Sequence, residues 1–87
     1  MTSLTPPTVK PFPENSIEKK VYGIVESLID FIPVMNDRNR LGFMLVKYMK
    51  GEGDAPLITI KNAKLKLEGI SETDLARKIT DELNLIK

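Results

Sequence analysis

The chain contains no cysteine and no histidine among its 87 residues. Without cysteine, disulfides and thiolate metal sites are excluded. Without histidine, the commonest zinc ligand and the commonest general acid–base are missing, and no Ser–His or Cys–His pair can form. A strong excess of one charge is also lacking, since 13 basic residues stand against 12 acidic ones. That balance gives no reason to expect nucleic acid or an anionic membrane as partner. Long apolar runs are absent too: the longest, Leu41 to Val46, includes Gly42 and falls far short of a membrane span. The first residues show no basic region followed by an apolar core, so no signal peptide is expected and a cytoplasmic protein is the default reading.

What is present suits one small domain, with 41% hydrophobic residues. A core of this size is modest. With disulfides and such metal sites excluded, self-association is the reinforcement left open, and a homodimer is expected. Residues 1–14 hold Pro6, Pro7, Pro11 and Pro13, which remove backbone donors and fix φ. They read as a disordered tail, and their spacing is not the one proline-reading domains take. Residues 15–87 read as a single helical domain.

The first helix is expected to start at a capping box, Asn15 with Glu18, and to run to Pro33. Ile17, Val21, Ile24, Val25, Leu28, Ile29 and Ile32 make its apolar stripe, and Gly23 falls on the polar side. A second helix is expected over Asp37–Lys50, with Asn36 as cap and Gly51 as the C′ residue. Leu41, Met44, Leu45, Tyr48 and Met49 share one face, while Phe43 and Val46 point elsewhere. A helix apolar on several sides is usually central. A buried strand through Gly42–Val46 is the rival reading.

Residues 57–69 admit two readings. A β-hairpin turning at Asn62-Ala63 would oppose Lys61 to Lys64, which is unfavourable. A short helix capped by Thr59 and stopped by Gly69 is preferred. The last helix is signalled by Ser71 with Asp74, the Ile70–Leu75 staple, and the stripe Leu75, Ile79, Leu83 and Ile86. The expected fold is all-α, three or four short helices behind the tail, with a hairpin at 57–68 as the structural alternative.

The stretch Gly51-Glu52-Gly53-Asp54 lacks the lysine and hydroxyl of a phosphate loop, and its acids do not follow the calcium-loop pattern. Every acidic residue has a plain place as a cap, a loop charge or a solvated helix face, and none interrupts an apolar stripe where burial would raise its pKa. No enzyme, metal or cofactor is expected.

Two binding classes remain. Gly69-Ile70-Ser71, with Leu75 four residues after Ser71, resembles the turn and recognition helix of helix-turn-helix proteins. That likeness, over residues 60–83, implies a DNA-binding regulator in which the glycine turns the chain, Ile70 plugs the core, Ser71 caps the helix, and Arg77 and Lys78 face the nucleic acid. The sequence departs from the family pattern at Leu65 and Glu68, and Glu72 and Asp74 open the would-be recognition helix. Residues 71–87 carry a net charge of −1, whereas residues 35–51 carry +3. The preferred reading is therefore a non-enzymatic protein-interaction module built on the second helix. Its apolar contacts are Phe43, Met44, Val46 and Met49, and Arg38 and Arg40 offer charge to an acidic partner. Methionine suits such adaptable surfaces.

Overall fold

The computed structural model describes residues 16–86. The expected N-terminal tail lies outside them. Four helices follow in order: α1, Ile17–Glu26; α2, Met35–Met49; α3, Pro56–Ala63; and α4, Glu72–Ile86. The fold is a small all-α bundle, with no strand among the described residues. α2 packs on both α1 and α3, as expected of a helix with several apolar sides, and α4 closes the bundle against α3 and α1.

The core is assembled from one stripe per helix. Val21 and Val25 of α1, Leu41, Leu45 and Val46 of α2, Ile60 of α3, and Leu75, Ile79 and Leu83 of α4 are buried together with Leu28 and Ile32 of the α1–α2 connection. At α4 the local signals hold. The Ser71 hydroxyl accepts from the Asp74 amide at 3.1 Å, and Leu75, Ala76, Ile79 and Leu83 face inward.

Elsewhere the boundaries differ from expectation, each for a local reason. α1 is capped by Ser16, whose hydroxyl accepts from the Lys19 amide at 3.1 Å. Asn15, and with it the expected capping box, lies outside the described residues, and the Glu18 carboxylate accepts from Lys50. α1 also stops at Glu26, well before Pro33. The Ser27 hydroxyl donates to the Ile24 carbonyl at 2.6 Å, and the backbone tightens, with the Leu28 amide on Val25 and the Phe31 amide on Leu28. A serine competing for a helix carbonyl is a common cause of such a change. In consequence Ile29 leaves the stripe and is exposed.

α2 starts two residues early, at Met35, with the extended Val34 at its N-cap position and no side-chain capping bond. Asn36 is not its cap. The preferred helix at 57–69 exists, but it spans Pro56–Ala63: Pro56 occupies the first turn, where its missing N–H costs nothing. Thr59 is inside the helix, buried, with its hydroxyl donating to the Asp54 carbonyl at 2.9 Å. The helix ends at Lys64, which takes the left-handed conformation at φ 52°, five residues before Gly69. The hairpin alternative is ruled out for the same residues.

Candidate protein-interaction surface

The residues expected to meet a partner divide into two groups. Arg38 is turned inward and only 5% exposed. Its Nη1 donates to the Ile32 carbonyl at 2.8 Å, and its Nε to Glu26 Oε2 at 3.3 Å. It holds the α1–α2 connection against α2 and is not available to a partner. Val46 is also buried. It lies one turn beyond Gly42, whose bare Cα receives the Tyr22 ring of α1; a Cβ there would sit 2.6 Å from Tyr22 Cε1. Gly42 belongs to the α1–α2 seam, and Val46 to the buried core.

Phe43 points the opposite way. Its ring is 58% exposed, with the Lys47 ammonium 5.3 Å from the ring centroid. That distance suits a cation–π contact. Met44 is half-buried. Met49 is half-buried as well and lines an open groove of about 370 Å³ with Ile17, Tyr48, Gly51 and Ile86.

Arg40 is half-exposed and works as a clasp. Its Nη2 donates to the Ala63 carbonyl at 2.6 Å and to Asp37 Oδ1 at 3.2 Å. A guanidinium at the end of α3 complements the negative pole of that helix. Asp37 uses its other oxygen to accept from the Lys66 amide at 2.9 Å. The Glu68 amide donates to the Phe31 carbonyl at 2.9 Å, so the α3–α4 link is held against the first two helices at two points.

Sequence reasoning counted Met35 with Met44 and Met49 as methionines suited to an adaptable surface, but did not identify Val34 or Ile29 as surface groups. Ile29, Val34 and Met35 are exposed apolar side chains from the α1–α2 connection to the start of α2. Ile29 was masked by its place in an apparent stripe, and Met35 stood before the expected helix start. Ile58 of α3 is exposed in the same way.

At the opposite end of α1, Lys50 Nζ donates to Glu18 Oε2 at 2.7 Å. The bond from Lys50, aided by a backbone hydrogen bond, holds the Glu18 carboxyl below its ordinary range, and Glu18 in turn raises the Lys50 ammonium. Burial, with a smaller push from the Glu18 charge, raises the Tyr22 phenol. Among the described residues no three acidic side chains converge as a metal-ion cluster would require.

Arg77 and Lys78 are both exposed on α4, and Arg77 lies 3.7 Å from Asp74. The exposed side of that helix also carries Asp81 and Glu82, which leaves it with a net charge of −1. Residues 64–71 separate α3 from α4, whereas a helix-turn-helix uses a turn of about 3–4 residues.

Comparisons with family models, with curated proteins and with solved structures find no match. No helix among the described residues is long and apolar enough to cross a membrane.

Proposed function

We propose that this protein is a non-enzymatic interaction module that self-associates and binds another protein, in a cytoplasmic setting. The observation that carries the reading is the set of large apolar side chains left outside a closed core: Phe43 on α2, the run Ile29, Val34 and Met35 from the α1–α2 connection to the start of α2, and, further off, Leu57 and Ile58 of α3 and Leu85 of α4. Scattered exposed apolar residues are ordinary, but Ile29, Val34 and Met35 fall within seven residues of one connection, and exposed apolar groups brought together mark contact surfaces. The apolar connection is assigned to self-association and Phe43 to the second partner.

Light scattering tests the first assignment. The protein should run at twice the 9.8 kDa chain mass, and Met35→Asp should reduce it to one chain mass without loss of helical signal. Wild-type protein that stays monomeric at high concentration would remove the self-association.

A DNA-binding regulator on residues 60–83 is the second reading. Ser71 capping α4 and Leu75 anchoring it in the core favour that arrangement. The long link and the net negative exposed side of α4 weigh against it, because phosphate contacts supply most non-specific DNA affinity. A gel shift at low salt that depends on Arg77 and Lys78 would reverse the ranking.

A further inference from the structure

Resting on the interaction reading, we infer that the outward row of α2 takes an acidic, apolar-faced segment of a partner protein. Arg40, Phe43 and Lys47 are spaced three and four residues apart, so they are neighbours on one side of the helix. The ring stands in the middle, exposed, with a cation on either side. Arg40 reaches the Ala63 carbonyl, and the next residue, Lys64, leaves α3 there as an exposed second cation; Lys61 lies one turn earlier. The acid on this row is Asp37, and both its oxygens are committed, one to Arg40 and one to the Lys66 amide. Arg40, Lys47 and Lys64 outnumber Asp37 around the ring, while the acids of the next loop, Glu52 and Asp54, stand beyond its Lys47 end, where the Glu52 amide donates to the Lys47 carbonyl at 2.8 Å.

That charge selects the occupant. A second copy placed on the row across a two-fold axis would set like cations against one another, which is costly at an interface. A carboxylate-bearing segment would meet Arg40, Lys47 and Lys64 with opposite charge while an apolar side chain covers Phe43. Nucleic acid shares the charge preference but gains less from the aliphatic neighbour Met44, half-buried beside Phe43.

The test uses the full chain and three probes: a helix-forming peptide with leucines on one face and glutamates elsewhere, the same peptide with lysine for glutamate, and a single-stranded DNA oligonucleotide. Binding is read by fluorescence anisotropy of the labelled probe. The glutamate peptide should bind best, and should weaken by about tenfold or more with Phe43→Ala and with Lys47→Glu/Lys64→Glu, as expected for a central anchor and its charged neighbours. Lys78→Glu on α4 should leave it unchanged. Phe43→Ala should keep the wild-type unfolding midpoint because Phe43 is exposed, and Lys47→Glu/Lys64→Glu, which puts carboxylates at the C-terminal ends of α2 and α3, should lower it by a few degrees while the protein stays folded at the assay temperature. Equal binding of the two peptides through Phe43 would overturn the acidic preference and leave the interaction reading standing. Tighter binding of the oligonucleotide, or no binding of either peptide, would overturn the inference.

Discussion

Replacing Arg38 with alanine separates a structural role from a contact role on α2. The side chain is 5% exposed and makes two bonds that no neighbour can replace. The first is a charged hydrogen bond to the Ile32 carbonyl; breaking one of these costs about 1.5–3 kcal/mol, and the carbonyl left behind is beside the fully buried Ile32. The second is the Glu26 ion pair, whose acid is half in solvent, so it adds at most about 1 kcal/mol. Loss of the buried aliphatic stem adds to both. The expected destabilisation is about 2–4 kcal/mol, or a fall of roughly 10–25 °C in Tm for a chain of this size. Urea and thermal unfolding followed by circular dichroism measure it. Arg38→Lys should fall in between, since an ammonium can reach one acceptor but cannot present the guanidinium fork to both. A loss below about 0.5 kcal/mol for Arg38→Ala, the range of an ordinary surface substitution, would refute the inward role and return Arg38 to the candidate contacts.

Four further outcomes follow. Gly23→Ala should stabilise the protein by about 0.5–1 kcal/mol, since an exposed helical glycine with open space around it gains only from lower backbone entropy. Gly42→Ala should instead destabilise, by up to about 2 kcal/mol, because displacing the Tyr22 ring outweighs the same backbone gain; equal gains in urea unfolding would contradict the close α1–α2 approach. Glu18 has a lowered pKa, so its contribution is present above the ordinary carboxylate value and is lost as pH falls through its folded value. The Tm difference between wild type and Glu18→Gln should therefore be steady near neutrality and vanish in acid, with the Lys50 side of the pair lost only at strongly alkaline pH. Asp37→Ala should speed hydrogen exchange at the Lys66 amide while leaving the amides of α4 protected, because it frees the link and not the core.

The helices were legible where their signals are local. Ser71, Asp74 and the Leu75–Ile79–Leu83 stripe all act within one helix, and α4 follows them. The positive φ of 81° at Gly51 matches its reading as the residue that ends α2. What was not legible depends on contacts between elements. Arg38 faces inward because its acceptors are a backbone carbonyl six residues earlier and a carboxylate twelve earlier, and no spacing rule announces either. Phe43 and Val46 looked equivalent, both off the main stripe; Val46 follows one turn after the Gly42 that Tyr22 covers and is buried in the core, whereas Phe43 stays outside. Asn36 is a good cap by type, yet the chain already turns helical after the extended Val34, which leaves Asn36 inside the first turn. The same non-locality divides the candidate site: Phe43 stays, Arg38 and Val46 leave, and Lys47 and Lys64 enter from their neighbours' geometry.

Ile17 and Ile86 share the walls of one groove, although they stand at opposite ends of the described chain. The bundle thus begins and ends at a common corner, where α1 and α4 meet. A short linker joining that corner should give a circular permutant, with new ends opened in the exposed loop at residues 51–55. For the same reason, tags fused directly before Ser16 or after Ile86 would crowd one corner of the bundle, and the Phe43 row, which lies on neither α1 nor α4, would stay open for immobilised binding measurements.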